Sequence, residues 1–297
     1  MTDVLARGKL FPEVLVTEMM NLAKGKSSLA KLSSSQPVAF NGTREFVFTM
    51  DKEVDIVAEN GKKTKGGATV EPVTIMPVKV EYGARISDEF DIASEEAQMD
   101  YLSQFAEGFA KKIARGIDIM ALHGFNPRSG TASDVIGNNC FEKKITNTVD
   151  AATGDANEQI EAAVALVEGA DNDVTGLIMS KDFKSSLAKL KFTNGTPMFP
   201  ELAWGANPEQ LNGLTVDSNS TVSFGGAKQK AIVGDFENAF KWGFAKEVPI
   251  EIIRYGNPDN DETLGDLKGH NQIYLRGEAY IGWGVLDPKS FAIVKQS

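Results

Sequence analysis

Residues 95–122, EEAQMDYLSQFAEGFAKKIARGIDIMAL, decide how the rest of the chain is read. Met99, Leu102, Phe105/Ala106, Phe109, Ile113, Ile117 and Met120 recur at three- and four-residue spacing, the period of one helix face. The 28 residues, at 1.5 Å rise each, span roughly 42 Å. That is about twice the length of an average globular helix. Ser94 followed by Glu95-Glu96 supplies a cap and first-turn acids, and Ser87-Asp88-Glu89 offers an earlier start. A short turn followed by a main helix is therefore predicted. Gly124, Pro127 and Gly130 end it. Gly108 and Gly116 lie inside, each costing around 1 kcal/mol relative to alanine. They either allow close packing or let the helix bend. The stretch reads as a spine crossing the molecule.

Upstream, alternation replaces helical spacing. Phe46, Phe48 and Met50 share one side, Val54, Ile56 and Ala58 follow after a shift of face, and Val73, Ile75, Val78, Val80 and Tyr82 make a second run. Between them NGKKTKGG, residues 60–67, sets Asn60-Gly61 and Gly66-Gly67 turn signals around Lys62, Lys63 and Lys65. This predicts a long two-stranded hairpin with a basic tip. Pro72 and Pro77 cannot donate to a ladder, so the returning strand is an edge or is interrupted. An isolated ribbon is only marginally stable in water. It leans on a neighbour or edges an ordinary sheet. Residues 12–22 form a short amphipathic piece, and in SSLAKLSSS the serines punctuate rather than propagate structure. A segment this polar buries no core alone, so it is expected to lie against the same or another subunit.

Downstream the chain alternates helix and strand. Residues 157–168 form an amphipathic helix, GLIMS at 176–180 a buried strand, and 182–190 a further helix. Residues 194–219 read as loop-rich, with Asn212-Gly213 as a turn, and Phe224-Gly225-Gly226 reads as a turn. Residues 231–235 read as a strand. Val248, Ile250 and Ile252 alternate, an acidic loop covers 256–271, and residues 272–285 return as a long strand. Loops beyond about 12–15 residues are usually functional or mobile.

The inventory of chemistry is nearly empty. Two histidines, His123 and His270, make a His-rich metal site untenable. HExxH, CxxC, Walker A and GxSxG sequences are all missing. No cofactor and no catalytic residue is expected. The 297 residues carry 31 basic and 41 acidic side chains, a formal charge of −10. This excludes a dedicated cationic reader of phosphate backbones. No run approaches the ~20 apolar residues of a membrane span, and the N-terminus lacks a signal-peptide core. The one cysteine, Cys140, forms no intrachain disulfide, which fits synthesis in a reducing cytosol.

The order of these pieces resembles the major capsid proteins of tailed bacteriophages, the Hong Kong 97-type shell fold of the α+β class. SSLAKL at 27–32, VAENGKKTKGG at 57–67 and RISDEF at 85–90 look like that family's arm, E-loop and approach to the spine. AIVGDFENAFKWGF at 231–244 and GEAYIGWGVLDPKSFAIV at 277–294 are similar to its closing strands. The resemblance implies an N-terminal arm at 1–40, an extended hairpin at 41–82, a peripheral (P) domain of 83–122 plus 246–284, and an axial (A) domain of 123–245 plus 285–297. It implies self-assembly into pentamers and hexamers closing an icosahedral head that encloses double-stranded DNA without sequence-specific binding. A portal protein, a separate or dispensable scaffolding protein, assembly in the bacterial host cytoplasm and residence in the virion follow from it. Many relatives begin with a long scaffolding segment; on this reading none is expected before the arm, and scaffolding is expected to be separate or dispensable.

Two readings of the basic tip stay open. Lys62, Lys63 and Lys65 pair with Asp259, Asp261, Glu262 and Asp266 of an adjacent subunit, or they are solvated turn lysines that discourage edge pairing. One relative crosslinks a hairpin lysine to a neighbour's asparagine. Asn257 and Asn260 lie in a loop of that kind, but no promoting glutamate is identifiable. Spine bending at Gly108 and Gly116 in an immature shell is a further expectation. The alternatives are an encapsulin-like nanocompartment shell and an unrecognised cytosolic α+β enzyme.

Overall fold

The computed structural model describes residues 27–50, 52–245 and 250–297, with Phe48 and Thr49 described in backbone alone. The amphipathic piece expected at 12–22 and the strand start expected at Val248 lie outside the described residues.

The spine helix runs from Glu95 to His123, 29 residues without interruption. The Ser94 hydroxyl accepts the Ala97 N–H, and left-handed Gly124 (φ 72°) closes the far end by donating to the Met120 carbonyl. The expected preliminary turn is a 3-10 turn, Asp88–Asp91, capped by Ser87. None of residues 95–101 is buried, whereas every residue from Gly116 to His123 is. The helix thus starts in solvent and ends inside the core.

That core lies on both faces of a six-stranded sheet. Its strands are β4 (Thr148–Asp150), β5 (Gly176–Met179), β6 (Gln210–Leu211), β7 (Leu214–Ser218), β8 (Gln229–Gly234) and β12 (Phe291–Lys295), in the order β4-β12-β8-β5-β7-β6. Period-two alternation sends Leu177, Met179, Val216, Ala231, Val233, Ala292 and Val294 to one face. There they meet Ala163, Val167, Phe183 and Leu187 of helices Ala156–Glu168 and Lys181–Ala188. Ile178, Ile232, Phe291 and Ile293 point the other way, with Phe141, Phe236 and Phe240, toward the spine. Both faces are covered, so these strands read as continuous apolar runs. Burying each of the valine, leucine, isoleucine, methionine and phenylalanine side chains contributes about 1.5–3 kcal/mol.

A second sheet is organised by one strand, β11 (Gln272–Val285). Strand β3 (Val78–Ser87) lies antiparallel along one edge, from Gln272↔Ser87 to Ile281↔Val78. On the opposite edge, β10 (Ile250–Ile253) pairs with residues 274–277 and β9 (Phe240–Phe244) with residues 281–285. The extended hairpin is a separate two-stranded sheet, β1 (Thr43–Met50) with β2 (Ala68–Ile75), in register from Thr43↔Ile75 to Met50↔Ala68.

Two expectations change. The returning strand does not continue through Tyr82: it stops at Ile75, and after Met76-Pro77 the chain joins the other sheet as β3. Pro77 lacks an N–H, so the break falls where the ladder loses a donor. The stretch 194–219 is not only loop, because β7 within it pairs parallel to β5 inside the six-stranded sheet. A five-residue strand with the sequence LTVDS carries too little alternation to reveal a parallel partner. The turn expected at Phe224–Gly226 is present, with both glycines at positive φ.

Candidate assembly surfaces

Three structures stand out: the root of the arm, the extended hairpin and the loop between β10 and β11. At the arm root, SLAKL (Ser28–Leu32) forms a short helix capped by Ser27. Its anchor is Asp118, a fully buried carboxylate on the spine. Asp118 accepts the Ser27 hydroxyl at 2.5 Å, the Ser28 N–H at 3.0 Å and the Leu29 N–H at 3.2 Å. From the other side it accepts the Thr221 hydroxyl at 2.9 Å and the Asn219 amide at 3.2 Å. Burial pushes this carboxyl up to about 6, while the hydroxyl and backbone donors pull it back toward ionisation. The Thr221 carbonyl lies 2.8 Å from His123 Nε2, which places a neutral imidazole's N–H there. Burial holds His123 below its ordinary value. Lys31 adds contacts to the Val216 carbonyl and Asp217.

The hairpin leaves the body from a built seat. Ile75 is buried against Gly282 and Gly284 of β11. A Cβ on Gly282 would stand 3.0 Å from Ile75 Cγ2, and one on Gly284 2.9 Å from Ile75 Cγ1. Lys241 and Glu45 pair across the root at 3.2 Å. Gln36 and Val38 donate to the carbonyls of Trp242 and Phe244, extending the pairing alongside β9. Beyond the root, much of the ribbon's described apolar surface is open. Phe46, Met50 and Val70 are exposed, and Val54 and Ile56 reach 95% and 96%. Lys62, Lys63 and Lys65 are likewise exposed. The turn closes at Asn60 (φ 68°), where Gly61 N–H donates to the Ala58 carbonyl.

The loop between β10 and β11 is organised by Arg85 of β3. Its guanidinium, only 7% exposed, grips Asp259 through both oxygens at 2.8 and 2.5 Å. It also donates to Asn257 Oδ1, the Gly265 carbonyl and Gln272 Oε1. The Arg85 guanidinium holds the Asp259 carboxyl below its ordinary range. Asp261 accepts the Thr263 and Leu264 N–H groups, and Asp266 those of Gly256 and Lys268. Three of the four acids are thus engaged within their own subunit, whereas Glu262 stands exposed. Asn257 is engaged as well, through Arg85 and the backbone of Asp261. Arg254 clamps Asp91, tying β10 to the turn before the spine.

Of the two spine glycines, Gly108 has nothing within 4 Å of an added Cβ, and at Gly116 the nearest atom, Pro127 Cγ, is at 3.6 Å. Close packing therefore does not require either. Asp118, Arg85 and the Ile75 seat escaped the sequence reading. A clue to the first exists: Asp118 is the lone charge between Arg115 and His123, on a stretch buried all round. Among the described residues no cluster of His, Cys, Asp and Glu could hold a metal, and no helix is long and apolar enough to cross a membrane.

A spine-and-sheet body that extends an unsupported apolar ribbon is the build of a shell subunit. The chain belongs to the Phage capsid family, whose model matches residues 8–296, and is a major capsid shell protein of the tailed-phage type. Among solved structures it is similar to one from Mycobacterium phage Ogopogo, at 31% identity over 92% of both chains and a TM-score of 0.77. A Gordonia phage Cozz chain shares the fold at TM-score 0.74 and 24% identity, with 91% of this chain and 87% of that one covered. So does the capsid of an empty GTA particle computed with C5 symmetry, at TM-score 0.65 and 16% identity over 92% and 90%. Among curated proteins, none matches. These results favour the phage shell over the nanocompartment shell, and family and fold point to a structural protein.

Proposed function

We propose that copies of this chain assemble into pentamers and hexamers that close an icosahedral head around double-stranded DNA, each hairpin lying across an adjacent copy. The observation that carries this is the ribbon beyond Ile75, where Phe46, Met50, Val54, Ile56 and Val70 stand exposed among the described residues. Many modest contacts of this kind hold a closed structure through multivalency. In this reading residues 83–122 and 246–284 form the peripheral domain, and 123–245 and 285–297 the axial domain. Strand β3 carries residues 78–82 of the hairpin segment into the peripheral sheet.

The basic tip, Lys62, Lys63 and Lys65, faces the 259–266 loop of a neighbour, with Glu262 the acid left open to it. The −10 charge lets an inner wall lie beside DNA without adhering to it. A portal and a separate scaffolding protein complete the head, which is built in the bacterial cytoplasm and ends in the virion. Velocity sedimentation and negative-stain microscopy of the expressed chain, with and without the scaffolding protein, test the reading. Rings or closed shells are expected, and a uniformly monomeric species under both conditions contradicts it.

A further inference from the structure

Trp204 is the exposed one of three tryptophans: Trp242 and Trp283 are buried, whereas Trp204 is 104% exposed. Its backbone is left-handed, φ 57° and ψ 23°, and Gly205 follows at φ 81°. A bulky residue in that region is an outlier that persists only where its surroundings hold it. Here they do. Phe199 and Leu202 are buried just before the turn. Lys184 Nζ donates to the carbonyls of Gly205 and Ala206, both at 3.1 Å, and Ala206 N–H donates to the Ala203 carbonyl at 3.1 Å. The indole is held outward on a pinned turn.

Its surroundings narrow what meets it. From Phe192 to Pro208 the sequence contains one charged residue, Glu201. Within that span only Phe199 and Leu202 are buried. On a chain of charge −10, a long exposed stretch so poor in charge is a distinct patch. Copies related by a rotation axis present the same residues to one another, so every charge near the axis meets its own sign. A surface whose charges are few, Glu201 in the stretch and Lys184 pinning the turn, keeps that repulsion small, and tryptophan is among the residues most enriched at interface anchors. We infer that Trp204 is a subunit-contact anchor whose indole seats against a second copy of this chain around a rotation axis of the shell. The inference rests on the reading of the chain as a self-assembling shell subunit.

The other two tryptophans are buried, so the acrylamide-quenchable fraction of the intrinsic fluorescence reports Trp204. Acrylamide quenching is compared between unassembled full-length subunits and closed, empty shells. In subunits Trp204 is quenchable; in shells the quenchable fraction is lost and the emission shifts to the blue. Trp204→Ala subunits keep the wild-type circular dichroism, lose the quenchable component and give about tenfold fewer shells, with Trp204→Phe intermediate, as truncation of an anchor predicts. Wild-type shells in which Trp204 stays as quenchable as in subunits overturn the inference while leaving the shell reading intact. Protection that arises only once DNA is enclosed also overturns it, assigning the indole to DNA. A wild-type chain that forms neither rings nor shells overturns the shell reading and this inference with it.

Discussion

The backbone N–H of Ser28 donates at 3.0 Å to the carboxylate of Asp118, so the arm and the spine are joined through a fully buried acid. Asp118→Ala removes the acceptor of the Ser28 and Leu29 N–H groups. A loss of about 3 kcal/mol is expected in urea unfolding of unassembled subunits. The acid also carries a pH signature. Its folded pKa of about 6 stands above the ordinary 3.8, so its contribution is fully present below pH ~4 and is lost as pH rises through 6. The Ser27 and Thr221 hydroxyls can turn to accept the proton when it is bound. Stability should fall by on the order of 3 kcal/mol from pH 4 to 7 on this account. In Asp118→Asn that slope should be missing; an unchanged slope would assign it to other groups.

The Ile75 seat sets where the hairpin leaves the body. Alanine at Gly284 places a methyl 2.9 Å from Ile75 Cγ1, on a stiff β-branched side chain. Overpacking of this kind costs about 1–3 kcal/mol. Adding Ile75→Ala should relieve the clash, so the double variant should be less destabilised than the sum of the single variants, as a thermal-unfolding cycle measures.

Arg85 turns a long loop into an ordered lobe. Arg85→Lys keeps the charge but loses the two-oxygen grip on Asp259 and the fork that also reaches Asn257 and Gln272. Amide exchange in residues 257–266 should accelerate tenfold or more, on the scale of about 1.5–3 kcal/mol per charged hydrogen bond. Exchange at the wild-type rate would mean that the backbone turns at Asp261 and Asp266 suffice.

Alanine fits at both spine glycines, since Gly108 has open space and Gly116 ordinary contact distances. Each substitution should raise subunit stability by about 0.5–1 kcal/mol in denaturant titrations. If these glycines serve bending during shell maturation, the double variant should be more stable yet mature poorly. Normal maturation would leave them without that role.

Much of the architecture was legible because the spine and the long strands carry strong periodic signals between clear caps and turns. Ser94 and Gly124 mark the spine's boundaries in sequence and in structure, as Ser87 marks the short turn before it. What escaped reading depends on contacts far apart in sequence. Strand β7 pairs with β5, Arg85 reaches Asp259 across 174 positions, and Asp118 meets Ser27 across 91. Local pattern reports a residue's own element, not its partner. The acids of the 259–266 loop illustrate this: as sequence they look available to a neighbour, whereas Arg85 and local amides engage three of them.

The central claim is that the ribbon beyond Ile75 is completed by another copy of the chain. A cryo-electron microscopy map of assembled particles measures this directly. The account predicts closed shells in which Phe46, Met50, Val54 and Ile56 of each hairpin are buried against an adjacent subunit. Shells in which those side chains remain open to solvent would contradict it.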